Sequence, residues 1–373
     1  MWNKVLTVIL MGGSLTGFAQ EAEREYDYVF FENSLLPGPY FYSSTSFSDG
    51  SYIKNTGGKL PVSNLESFTA PNSLELNYTN GGGNWEASIE FESVRGNDFF
   101  KASSHLSFWL FPGITEKELY PEVSLTRQLK QRGTDSIVSD VRSSKLSMDP
   151  YIISSKTEGW FFVKIPLTDF TNFVGLPNRI VFSNSQGTGS GRIFIDQVEL
   201  MPDVQASGIP GPGQISARGY ERHVDVSWPP VEHENLNYIK IYRSGDNIHF
   251  TPVGIQRPWL NRYTDFTGEE GRTYYYKVSH VDYQYNEGLA SDVVKAVTRH
   301  LDAGELLDMV QEASFRYYWD GAEPHSGMAR ENIPGRQNMI ATGASGFGIM
   351  AIIVGVERGF ITRDQAVQRM RKI

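Results

Sequence analysis

Cysteine is absent from the 373 residues. That excludes a disulfide framework, a thiol nucleophile, thiolate metal ligands and a lipid-bearing cysteine anchor. Stability must therefore come from packing. A basic block is missing too: 34 Lys and Arg against 43 Asp and Glu give a formal charge of −9. Nucleic acid is not an expected partner of such a chain. No apolar run reaches the ~20 residues needed to cross a bilayer. The nearest lies at the N-terminus, where Lys4 precedes an apolar run from Val5 to Leu10, broken by Gly12-Gly13. Gly17 and Ala19 supply the small residues of a cleavage site. The pattern predicts a cleaved signal peptide over residues 1–19, and so a periplasmic or extracellular protein with no membrane span after cleavage.

What is present is ample apolar and aromatic material, 40% and 13% of the residues. The length allows two to three domains at ~100–200 residues each. Residues 20–203 read as short strands separated by Gly, Ser, Asn and Pro clusters. Ser73-Leu-Glu-Leu-Asn-Tyr78, Glu86-Ala-Ser-Ile-Glu-Phe91 and His105-Leu-Ser-Phe-Trp-Leu110 alternate with period two, as sheets with one buried face do. Many strands without an intervening helical period predict an all-β sandwich or jelly roll. Together with Gly159-Trp-Phe-Phe-Val-Lys-Ile-Pro166 and Phe194-Ile-Asp-Gln-Val-Glu-Leu200, their order resembles the galactose-binding-like jelly rolls of secreted polysaccharide-degrading enzymes. The resemblance implies a sugar-binding module or a spacer.

Sugar recognition calls for flat aromatic faces and polar groups for hydroxyls. Trp85, Trp109 and Trp160 are the candidates. Trp109 falls on the strand face opposite Phe108, and Trp85 follows the glycine-rich Gly81-Gly-Gly-Asn84, which makes it the preferred carbohydrate platform. Against this, aromatics are most often core or edge residues. Asp49, Asp98 and Asp196 offer oxygen ligands, but lone aspartates in loops are usually turn formers. No metal and no cofactor is expected.

Residues 204–213 are rich in Pro and Gly and read as a linker. Residues 214–299 then carry the strand spacing of a small seven-stranded sandwich. Trp228 before Pro229-Pro230, Ile239-Lys-Ile-Tyr-Arg243 and Gly271-Arg-Thr-Tyr-Tyr-Tyr-Lys-Val278 resemble a fibronectin type III domain. Such domains serve many functions, and a passive spacer is the expectation.

From residue 300 the period becomes helical: Leu306, Val310, Ala313 and Tyr317 recur on one stripe. Asp302 with Glu305 forms a capping-box pattern, and the helix is predicted to end near Trp319. Residues 347–356 are apolar on every side and predict a helix buried all round. Thr362 with Gln365 opens a third helix. Two and a half helices cannot surround such a segment, so most of this domain is expected to lie outside the sequence. Ser314-Phe-Arg-Tyr-Tyr-Trp-Asp320, Ala322-Glu-Pro-His-Ser-Gly-Met-Ala-Arg-Glu331, Ala341-Thr-Gly-Ala-Ser-Gly-Phe-Gly-Ile-Met-Ala351 and Val354-Gly-Val-Glu-Arg-Gly-Phe-Ile361 resemble the start of the bacterial glucoamylase-like catalytic domain, the family that includes β-1,2-glucanases.

That resemblance implies the truncated start of an (α/α)6 barrel and a β-glucan substrate or partner. By the same resemblance Trp319, Glu323, Arg330, Glu331, Thr342 and Ser345 line the cleft, with Trp319 stacking on sugar and the charged groups bonding hydroxyls. The competing view makes Trp319 core and Arg330–Glu331 a structural ion pair. Glycoside hydrolysis needs two placed carboxyl groups. Asp320, Glu323, Glu331, Glu357 and Asp364 are available, but no spacing marks two of them as the pair, and no catalytic residue is assigned. The leading expectation is the N-terminal, inactive part of a secreted β-glucan hydrolase, with β-1,2 linkages as its target. The alternative is a non-enzymatic glycan-binding or surface-attachment protein.

Overall fold

The computed structural model describes residues 28–33, 37–91, 93–94, 103–130, 136–157, 159–175, 177–184, 187–204, 208–258, 260–333 and 339–373. The expected leader and Asp98 lie outside them. Two packed sheets form the first module. One contains, in order, the strands Ile137–Arg142, Glu122–Lys130, Arg179–Ser183, Trp85–Glu90 and Ser43–Phe47. The other is built around Trp160–Pro166, His105–Phe111, Gly189–Met201 and Ser73–Asn80. Neighbours pair antiparallel throughout. The period-two residues do what alternation requires: Leu74, Leu76, Ala87, Ile89, Leu106 and Phe108 all point into one core between the sheets.

A second sandwich follows. Strands Ser216–Gly219, His223–Ser227 and Arg262–Phe266 form one sheet. Thr251–Gln256, Leu236–Ser244, Thr273–Asp282 and Val294–Val297 form the other. Trp228, Ile239, Ile241, Tyr276 and Val278 meet in its core, so the residues that carried the fibronectin-like pattern are packing residues.

The two sandwiches share a hydrophobic seam. Trp109, Trp160, Phe194 and Met201 of the first pack with Tyr238, Val281, Tyr283 and Tyr285 of the second. Phe68 stacks on Trp109 with ring centroids 3.8 Å apart, and Tyr285 meets Trp109 edge-on at 5.3 Å. Tyr285 Oη donates to Glu199 Oε1 at 2.7 Å, and Arg257 donates to Glu32 at 2.6 Å, with both side chains of that pair about 15% exposed. The linker therefore connects two bodies already locked by aromatic packing. The passive-spacer expectation gives way to a docked second module.

Three helices complete the chain: α1 (Ala303–Trp319), α2 (Thr342–Glu357) and α3 (Arg363–Lys372). Asp302–Glu305 and Thr362–Gln365 form reciprocal capping boxes at the starts of α1 and α3, each satisfying two orphan helix donors. α2 packs on α1 through a stripe of small residues. A Cβ on Gly355 would stand 2.5 Å from Phe315 Cε2, and one on Gly348 would stand 3.3 Å from Tyr318. Only Ser345, Gly348, Ile352 and Gly355 of α2 are buried. Phe347, Met350 and Ile353 are each about 60% exposed or more (67%, 63% and 59%), so the helix expected to be covered all round is covered on one side among the described residues. None of the described helices is long and apolar enough to cross a membrane.

Candidate functional site

Trp319 and Glu323 come together at the end of α1, in a pocket of about 250 Å³ that Asp320, Arg369 and the second module's Leu260 and Asn261 also line. Trp319 has no open stacking face on the Arg369 side: the guanidinium sits 4.3 Å over the ring and also donates to the Trp319 carbonyl at 3.0 Å. Phe315 stacks alongside at 5.8 Å. Asp320 accepts from Arg262 of the second module at 3.0 Å and from Arg316 at 3.2 Å. Glu323 folds onto its own loop, accepting from the backbone of His325 (3.0 Å) and Ser326 (2.7 Å) and from the Ser326 hydroxyl (2.7 Å). Burial pushes this carboxyl up, and those hydrogen bonds overcome it and hold the group below its ordinary value.

Arg330 is 8% exposed, and its Nε has no hydrogen-bond partner. Burial first, then the positive charge of Arg257, pushes the guanidinium down to about 10, and Glu323 partly opposes this. The acid that acts on Arg330 is thus Glu323, and the structural pair with exposed Glu331 does not form. Thr342 is exposed at the first turn of α2. Ser345 is committed to structure: its hydroxyl donates to Ala341 O at 2.8 Å and accepts from Ala329 N at 3.1 Å. The six helical candidates therefore divide. Trp319, Glu323 and Arg330 lie near one another beside the second module, Glu331 and Thr342 face solvent, and Ser345 ties the start of α2 to Ala329. Asp320 and Glu323 share a pocket, but each is held by cations or amides. Glu357 and Asp364 are exposed.

The tryptophans of the first module require correction. Trp85 is not a platform: it is fully buried, and its indole nitrogen donates to Asn80 Oδ1 at 2.7 Å. Its strand neighbours Ala87 and Ile89, two and four residues on, share its face and its core. Trp109 and Trp160 are spent on the seam. Asp196 is buried and accepts from the backbone of Phe68, Thr69 and Gln197. Burial pushes its carboxyl well up, against those bonds. Asp49 adopts φ 48°, as a turn former does.

A recess of the first module lies elsewhere, a groove of about 370 Å³ on the outer face of the Ser43–Phe47 sheet. Register puts Ser44, Ser88, Val181 and Ser124 in one row across it, and Glu90, Arg179, Thr126 and Arg142 in another. Ser44 and Ser88 hydroxyls are 2.8 Å apart, and Arg179 donates to Ser88 at 3.1 Å and to Glu90. Among the described residues no aromatic side chain lines the groove.

Comparison with known proteins bears on both regions. Residues 27–202 match the family model Carbohydrate binding domain 30. Over 99% of its length the chain is 45% identical to an exo beta-1,2-glucooligosaccharide sophorohydrolase (non-reducing end) of Parabacteroides distasonis. A solved structure, a beta-1,2-glucanase from Parabacteroides distasonis, superposes on 93% of this chain with a TM-score of 0.76 and 45% identity. The chain spans about half the length of these relatives, 51% and 50%. The resemblance to β-1,2-glucanases, drawn from four blocks in the helices, extends through both β modules.

The groove escaped the sequence reading. Its lining is the polar half of ordinary alternating strands, and only pairing across five strands reveals that those residues are neighbours. The unpaired Arg330 was found from its motif, but its isolation depends on contacts that no spacing encodes.

Proposed function

We propose that this chain is part of an exported hydrolase acting on β-glucan, with β-1,2-linked chains as its substrate. The carrying observation is the 45% identity to the Parabacteroides distasonis sophorohydrolase across all three regions. In this proposal α1–α3 open an (α/α)6 barrel. The exposed apolar side of α2 supports that placement, since further helices would remove Phe347, Met350 and Ile353 from water. Trp319, Glu323 and Arg330 would serve near the cleft as ring neighbour, loop anchor and buried cation. Asp320 and Glu323 are engaged in structural bonds, Glu331, Glu357 and Asp364 are exposed, and hydrolysis needs two carboxyl groups placed together. The reacting carboxyl groups are therefore assigned to the part of the relatives that this chain does not span.

The test is sugar release from β-1,2-glucan, measured as reducing ends. The chain alone should release none. A chimera joining it to the other half of the Parabacteroides distasonis protein should be active. A folded but inactive chimera would overturn the proposal, and turnover by the chain alone would overturn the placement of the acids.

A second reading is glycan binding without catalysis. It is favoured by the Carbohydrate binding domain 30 match over residues 27–202. Retardation of the chain in gels containing soluble β-glucan tests it directly.

A further inference from the structure

Arg262 opens the Arg262–Phe266 strand of the second module, and its guanidinium holds two carboxylates that belong to different bodies. Nη1 donates at 3.0 Å to Asp225 on the paired strand of the same module. Nη2 donates, also at 3.0 Å, to Asp320, the residue that caps the C-terminus of α1. The planar fork of arginine permits this double engagement. The Arg262–Asp320 pair is mostly covered, its side chains 21% and 24% exposed. From there the charges alternate along α1. Asp320 also accepts from Arg316, Arg316 pairs with Glu312, and Glu312 faces Arg218 of the second module at 3.9 Å. The ladder starts and ends on the second module, and its middle rungs belong to α1 and its cap.

Asp320 stands where local helix physics disfavours it. A carboxylate at a helix C-terminus opposes the macrodipole, so this one is costly unless cations hold it. Three do so, from three elements. Arg262 and Arg316 both donate to its Oδ2, and its charge acts on Arg369 of α3, opposing the downward push that burial gives that guanidinium. Arg369 in turn covers the Trp319 ring and bonds the Trp319 carbonyl. The turn that follows is held by short local bonds: Glu323 N donates to Met328 O at 2.9 Å, and Gly327 N to Glu323 O at 2.8 Å. Helix ends fray, and Trp319 and Glu323 flank this one. An anchor on Asp320 from outside the helix therefore sets how firmly both are placed.

We propose that Arg262 is a positioning residue for the hydrolytic site: from the second module it holds Asp320, and through Asp320 it fixes the turn that carries Trp319 and Glu323. This rests on the hydrolase reading, in which those two side chains stand near the cleft, and adds the second module to the foundation of that site. Arg262 itself touches no sugar. Its effect reaches the cleft only through the Asp320 carboxylate, so it should vanish when that carboxylate is removed.

The experiment is amide hydrogen exchange of the chain, read over residues 320–327. Arg262→Met keeps an apolar stem and removes the fork. It should speed exchange there about tenfold, between the worth of an exposed pair and that of a buried one, and leave the strands of the first module as they were. Arg262→Lys, which keeps the charge on a single ammonium, should return the rate to within about threefold of the unaltered chain. Arg262→Met added to Asp320→Asn should do no more than Asp320→Asn alone, because both break one bond. Asp225→Asn, which alters only the arm inside the second module, should leave this rate alone. No change with Arg262→Met, additive effects in the double variant, or an equal effect from Asp225→Asn would each overturn the proposal. In the chimera, Arg262→Met should raise KM for β-1,2-glucooligosaccharides about fivefold with kcat within about twofold, as lost binding does. An active chimera with KM unmoved would overturn the positioning role. A chimera inactive before any substitution would overturn the hydrolase reading instead, and exchange would still decide what Arg262 holds.

Discussion

Trp85 shows how a single side chain changes role once its surroundings are known. The glycines before it are not slack. A Cβ on Gly81 would lie 2.1 Å from Gly50 O, and one on Gly83 would lie 2.1 Å from Ser48 O. The loop is glycine-rich because two backbones press together, and strand alternation turns the indole beyond it inward against Tyr78, at 4.6 Å between ring centroids. Trp85→Ala should therefore cost about 3–5 kcal/mol of stability, the range for emptying a buried aromatic site, read as a lower urea midpoint. If the midpoint holds while glycan affinity falls, the indole is a platform after all. The residue types were legible in the sequence, but the directions of the side chains were legible only in part. Alternation around Phe108 gave Trp109 its face correctly, and Trp85 was misread because a run of glycines looks the same whether it bends freely or packs tightly.

Among the elements, the helices were the easiest to read in advance. Both capping boxes, at Asp302 and Thr362, appear where the side chains reciprocate with the backbone, because capping is a contact between residues three apart and needs no tertiary information. The packing of α2 was harder. Its apolar character is uniform, so nothing in the sequence says which side meets α1, and the answer lies in Gly348 and Gly355, where aromatic rings of α1 rest on bare backbone. Gly355→Ala tests that contact against intrinsic propensity. In an isolated helix the change would stabilise by ~1 kcal/mol. Here the added methyl meets Phe315, and overpacking should destabilise the helical segment by about 1–3 kcal/mol. The measurement is the thermal midpoint of the helical signal. A rise would mean that Phe315 moves aside at no cost. The strands of the groove sheet lie at the opposite extreme. Their pattern was legible, and the recess they form was not, since concavity arises from five strands acting together.

At the scale of the whole molecule, the seam decides how many independent parts there are. Tyr285 anchors it, touching Phe68, Trp109 and Phe162 and bonding Glu199, while Arg257 ties the second module to Glu32 of the first. Calorimetry should show the two β modules unfolding in a single transition, and Tyr285→Ala should lower its midpoint or split it in two. Two separate transitions in the unaltered chain would show that the seam carries little energy. The Pro- and Gly-rich residues 204–213 read as a linker, and the second module as a passive spacer. Pro and Gly content describes the connection and is silent about faces that meet elsewhere.

The seam has a consequence for ancestry. A jelly roll lifted out by recombination would carry Phe68, Trp109 and Phe162 into water as an adhesive patch, and a fibronectin-like domain taken alone would bare Tyr238 and Tyr285. The packing therefore favours inheriting the two modules as a pair. Genomic rearrangements that mix such domains freely elsewhere would be tolerated on either side of this couple and selected against between its members.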